Sequence, residues 1–184
     1  MPNFATSDDL LDAYRRLDNS ARAWLMRQGV STEAMLMHPG PVGVADIEIH
    51  DPGIFDIADF GMRAFLHPIY SGGFGSEIID VIAWMPSNPY RWWTLEYTGW
   101  ALGDDQLFAA EFWNEPILLH PTPLAWLAAD GIGVVVNDWI MSSPALRSIP
   151  CIVTEDAEFG REVQRRLTMP MRSCPEIRVL RAAA

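Results

Sequence analysis

The chain contains no lysine, and its 13 basic residues are all arginine. That absence excludes a P-loop lysine, a Schiff-base or pyridoxal lysine, a kinase-type ATP lysine and a Ser-x-x-Lys nucleophile. Positive charge is scarce altogether: 24 carboxylates bring the formal net charge to -11. A binder of duplex nucleic acid needs a basic footprint to displace counterions, so that class is not expected. Cysteine is nearly missing as well. Cys151 and Cys174 show no CxxC spacing, which indicates neither a disulfide scaffold nor a zinc knuckle, and a reducing cytoplasm is the expected setting. No apolar run approaches the ~20 residues of a membrane span. The start, Met1-Pro2-Asn3-Phe4 ahead of Asp8 and Asp9, lacks the basic and apolar regions of a signal peptide. GxSxG, HExxH and EF-hand patterns are also absent, and neither cysteine has a nucleophile context.

What is present describes a folded object. Its 184 residues suit one domain, and 49% hydrophobic against 20% charged residues is the balance of a globule, not of a disordered chain. The negative charge is concentrated. Residues 43–146 carry 14 acids against Arg63 and Arg91, whereas residues 1–42 and 147–184 are each close to balanced.

Hydrophobic periodicity places the elements. Leu10, Tyr14, Leu17, Ala21, Trp24 and Leu25 form a helical stripe over about 7–29, begun at Ser7 and stopped by Gly29. Asp12–Arg16 and Asp18–Arg22 are expected i,i+4 pairs on its outer face, and a short helical turn follows from Thr32 to Met37. Gly43–His50 alternates as a half-buried strand, with Asp51-Pro52-Gly53 as a turn. Another strand is expected over 62–67, ended by Pro68. The loop Gly72-Gly73-Phe74-Gly75 reads as a turn, since an apolar strand follows it and phosphate cradles open helices. Glu77–Met85 and Arg91–Thr98 read as a hairpin across Pro86-Ser87-Asn88-Pro89.

Farther on, Asp104 and Asp105 open a helix to about Trp113. Ile117–His120 is a short strand, and Thr122-Pro123 caps a helix to Asp130. Val134–Val136 and Cys151–Val153 read as short strands, Asp156–Leu167 as a helix, and 177–180 as an edge strand. The class expected is α+β in a single domain over 1–184: mainly antiparallel sheet, an N-terminal helix, an acidic β-rich body over about 43–146, a strand–helix segment over about 147–184, and several covering helices.

Four groups of residues invite a chemical reading. Asp46, Glu48 and His50 share one strand face, a candidate divalent-metal set or simply a wet face. His38, His67 and His120 each precede proline, which favours extended backbone and puts them at strand ends or turns. Trp92 and Trp93 are adjacent on a strand, so they face opposite sides and one must leave the core. With Trp100, Asp104, Asp105 and Glu111 they form a candidate partner-binding set, since tryptophan is favoured at interface hot spots. Glu155 and Asp156 stand where a strand becomes a helix, a place for magnesium-holding acids, although acids there also suit the helix dipole.

Ile78–Pro86 with Pro89-Tyr90-Arg91-Trp92-Trp93, then Pro121–Leu127 and Gly133–Trp139, resemble uncharacterised proteins of alphaproteobacterial phages and mobile elements. The run Ile152-Val153-Thr154-Glu155-Asp156-Ala157 into Gly160-Arg161 is similar to the strand–acid–helix step of Toprim-type primases. The upstream glutamate strand and paired aspartates of that family have no counterpart here.

The expectation is a non-catalytic interaction or inhibitor protein whose acidic surface engages a basic protein partner, with no cofactor and no membrane. One alternative is a metal-dependent enzyme of nucleic-acid metabolism, a degenerate Toprim-like domain using Glu155, Asp156 and Asp80 with magnesium. Another is a small-ligand-binding domain built on the tryptophan hairpin.

Overall fold

Met62–Tyr70 and Ile78–Met85 are buried along most of their length, because both faces of each strand are covered. In the computed structural model, which describes residues 12–37, 42–50, 53–71 and 78–168, these are β3 and β4 of a closed barrel. Its other strands are β1 (Gly43–His50), β2 (Ile54–Ala58) and β5 (Asn88–Thr94), in the order β1-β2-β5-β4-β3. All neighbours run antiparallel except β2 and β5, which meet in parallel at Ile54 and Thr94. Ala45, Ile47, Phe55, Ala64, Leu66, Val81, Ala83 and Trp93 fill the interior. Alternate residues of the same strands, Phe65, Ile69, Ile82 and Trp84, point outward into a second core under the helices. Two-sided burial is why these strands read as continuous apolar runs.

The covering layer contains α1 (Asn19–Arg27), α2 (Thr32–Met37), α3 (Asp104–Trp113), α4 (Pro123–Ala128), α5 (Trp139–Ser148) and α6 (Ala157–Thr168). Between them β6 (Ala101–Leu102) pairs with β8 (Val135–Val136), and β7 (Ile117–Leu119) runs parallel to β9 (Ile152–Thr154). A third core, including Leu107, Leu119, Val134, Leu146 and Val163, holds α3, α5 and α6 around these short strands. The chain is therefore the α+β domain expected, with its antiparallel sheet rolled into a barrel.

Three local expectations are corrected. The N-terminal stripe is not one helix: helical residues 12–15 end before Leu17 and Asp18. Asp18 takes an extended backbone and its carboxylate accepts the Ala21 N–H at 2.8 Å, so it begins α1 as an N-cap. The expected i,i+4 pairs give way to others, Arg15 with Asp12 and Arg63 with Asp18, both at 2.9 Å. Second, Pro68 does not end its strand. The pairing of β3 with β1 stops at Leu66, so from His67 onward β3 is laddered to β4 alone. A residue without an N–H is tolerated on such an open side. Third, β2 and α5 had no sequence expectation. His38, Asp51, the glycine loop at 72–75 and the strand at 177–180 lie outside the described residues.

Candidate functional site

Between the barrel and the helical layer, three hollows join into one trough. The first, of about 660 Å³, has Tyr90 and Trp92 of β5 on one side. Trp139 of α5 and Asp156, Glu158, Phe159, Glu162 and Arg166 at α6 stand on the other. The middle section, of about 500 Å³, shares Trp92 and Asn137 with the first and adds Thr94, Tyr97, Trp100 and Asp138. The third, of about 300 Å³, shares Thr98 and Trp100 with the middle and runs along Asp104, Phe108 and Glu111 of α3. Six carboxylates thus line the trough. Among the described lining residues Arg166 is the one arginine, and it is already engaged. Its Nε and Nη2 donate to Glu162 at 2.9 and 2.7 Å, and its guanidinium lies 5.1 Å over the Trp139 ring.

The walls are set by short-range devices. Asp138 caps α5 by accepting the N–H groups of Ile140 and Met141 at 2.8 and 3.1 Å, which fixes where Trp139 enters the trough. Asp156 does the same for α6, accepting from Glu158 and Phe159 at 2.8 Å. The loop after β5 is wound around buried Asp80. Its Oδ1 accepts from Val81, Leu95 and Glu96, and its Oδ2 from Thr98 and Gly99, all within 3.1 Å. Tyr97, Thr98 and Trp100 are presented to the trough from that loop. Gly133 has φ +92, and a Cβ there would stand 2.5 Å from the Leu118 carbonyl, so the strand before the trough's far wall demands glycine.

Trp92 and Trp93 face opposite sides of β5. Trp93 is 3% exposed inside the barrel, with the Arg91 guanidinium 5.2 Å over its ring, so its candidacy as a partner contact is withdrawn. Trp92 faces the trough, and so do Trp100, Asp104 and Glu111. Asp105 is placed elsewhere on α3. Its charge, after burial, raises the Tyr70 phenol above its ordinary range. The central acids do not form one face. Asp46, Glu48 and Asp56 lie on the β1–β2 hairpin, whereas Asp104, Glu111 and Asp138 reach the trough and are joined there by three acids of the C-terminal segment.

Of the proposed metal residues, His50, Glu155, Asp156 and Asp80 are drawn into other contacts. His50 Nε2 pairs with Asp56 of β2 at 2.9 Å, the residue opposite Glu48 in the β1–β2 register. Glu155 Oε1 contacts His120 Nδ1 at 2.6 Å. Asp80, with its oxygens occupied by five N–H groups, has no lone pair directed to a cation. Among the described residues no three histidine, cysteine, aspartate or glutamate side chains gather as a metal site. No described helix is long and apolar enough to cross a membrane.

His120 does stand at the end of its strand, as its proline neighbour implied, and lines the trough. Its Nε2 is 2.8 Å from the Ile132 carbonyl, so both ring nitrogens are engaged. His67 is instead in mid-strand, fully buried between Trp84 and Trp126, with no hydrogen-bond partner among the described residues for either nitrogen. Burial lowers its imidazole from 6.5 to about 3. Sequence reasoning missed Tyr90, Asn137, Trp139 and Phe159. The Asn137-Asp138-Trp139 step carried one legible signal, an aspartate able to cap a helix. Comparison of the chain with protein-family models, curated proteins and solved structures finds no match.

Proposed function

We propose that this is a non-catalytic interaction protein that holds a basic segment of a protein partner in the trough. The observation carrying the reading is the pairing of six carboxylates with an aromatic wall in a surface whose one arginine among the described residues is already held by Glu162. Carboxylates attract a cationic segment over a distance, and aromatic faces then hold its charged heads by cation–π attraction while packing on their methylene stems. Among the described residues no side chain of the trough forms a nucleophile–base pair, and His120, which lines it, has both nitrogens engaged. In the setting proposed, such a trough blocks the nucleic-acid-binding surface of a partner in the cytoplasm.

The test is titration of the full chain with an unstructured twelve-residue peptide rich in arginine and lysine, followed by tryptophan fluorescence and calorimetry. Binding is expected to weaken at least tenfold between 50 and 300 mM salt, since both charges are exposed before they meet. The double variant Glu111→Gln, Glu158→Gln is expected to weaken it further at low salt. No binding at 50 mM salt, or binding indifferent to salt, would overturn the reading.

A further inference from the structure

We propose that the middle section of the trough is a guanidinium site, so that the partner is read through an arginine and not through a lysine; this deepens the reading above and rests on it. The first support is the pair of polar atoms there. Thr94 is 5% exposed and its Oγ1 has no hydrogen-bond partner among the described residues. Asn137 Nδ2 donates weakly to the Gly99 carbonyl at 3.4 Å, and its Oδ1 is buried without a partner among the described residues. Both residues line the middle section, beside Trp92 and Trp100. Buried polar atoms in folded proteins are ordinarily paired, and two orphans in one hollow mark where a ligand's donors belong.

The group that suits them is flat and rich in N–H. A guanidinium carries five donors in one plane, stacks on indole faces and sheds its water more readily than an ammonium does. Asn137 Oδ1 and Thr94 Oγ1 supply acceptors, the two indoles supply faces, and the Asp138 carboxylate supplies the balancing charge. Reaching the two buried atoms asks a lining side chain to turn, and Trp100, 41% exposed, is the least confined of the two indoles.

The second support is a precedent in the same trough. Arg166, Trp139 and Glu162 already form an arginine–indole–carboxylate unit in the first section, filled by the chain's own side chain. The middle section has indoles, carboxylate and acceptors of the same kind, and no arginine of the described chain enters it.

The experiment compares two twelve-residue peptides that differ only in having every basic position arginine or every one lysine, titrated into the full chain and into Thr94→Val. Valine has the shape of threonine without the orphaned hydroxyl, so this variant is expected to fold. The arginine peptide should bind the parent chain at least tenfold more tightly, and the preference should fall below about threefold in Thr94→Val. Equal affinities for the two peptides overturn the guanidinium site and leave the basic-segment reading standing. A strong arginine preference that Thr94→Val leaves unchanged overturns its placement in the middle section. Failure of both peptides to bind removes the reading and this inference together.

Discussion

Gly99 donates its N–H to Oδ2 of Asp80 at 2.9 Å, and a Cβ at position 99 would stand 2.9 Å from the Cβ of that same aspartate. The loop carrying Tyr97 and Trp100 is therefore closed onto one buried carboxylate so tightly that only glycine fits at the last contact. Asp80, which looked in sequence like a third metal acid, has instead the task of holding the middle wall of the trough.

Asp80→Asn is expected to cost about 3 kcal/mol or more, because an amide NH₂ would face donors that now meet an acceptor, and leaving buried N–H groups unpaired costs about 1–3 kcal/mol each. Urea denaturation reads this directly. A midpoint unchanged from that of the parent would contradict the role given to the carboxylate.

His67 makes stability fall with acid. Its imidazole stays neutral in the folded chain down to about 3, whereas in the unfolded chain it takes up a proton below 6.5. Each pH unit within that window therefore removes up to about 1.4 kcal/mol. Other groups titrate there too, so the measurement is the difference between the parent and His67→Leu. That difference should be flat above pH 7 and should grow in favour of the variant as pH falls from 6.5.

His120 and Glu155 are expected to be coupled. Removing Glu155 leaves His120 held at the Ile132 carbonyl alone, and removing His120 takes the Glu155 contact away, so His120→Gln and Glu155→Gln should each destabilise. The double variant should lose less than the sum of the two, by roughly 1–3 kcal/mol. Additive losses in thermal or urea unfolding would mean that the 2.6 Å contact carries no energy of its own.

Gly133→Ala is expected to destabilise by more than about 1 kcal/mol, since alanine is strained at φ +92 and its Cβ would meet the Leu118 carbonyl. Gly29 offers the control. It has φ +89 with open space around it, so alanine there meets the strain alone and should cost less.

The parts of the fold that sequence made visible are those decided by neighbours in the chain. Asp104–Trp113 was bounded by its two opening aspartates, the helix at Pro123 by its threonine cap and first-turn proline, and Gly43–His50 by strict alternation. The opposed placement of Trp92 and Trp93 followed from strand geometry alone. What escaped was decided from outside. Asp18 reads as one more acid on a helix until its carboxylate is seen to cap a new one. β2 is five residues with no clear alternation, and its strand character comes from pairing with β1. α5 contains Pro144, a breaker signal that packing of Leu146 and Ser142 overrides. Barrel closure and the trough depend on which strands and helices meet, and the aromatics facing Trp92 across the first section, Trp139 and Phe159, come from far along the chain.

That separation has a consequence for how the molecule is made. Three of the barrel's antiparallel pairings join strands consecutive in sequence, whereas the wall bearing Trp139 and Phe159 is anchored by β7 pairing with β9, across the whole of residues 120–151. Closing a long loop costs entropy that short hairpins avoid, and contacts distant in sequence form slowly. The β2–β5 contact that closes the barrel joins Ile54 to Thr94, also far apart in sequence. During refolding, the burial of Trp93 and the completion of the trough's far wall are thus both expected to follow the hairpins, and the capacity to hold a partner arrives late.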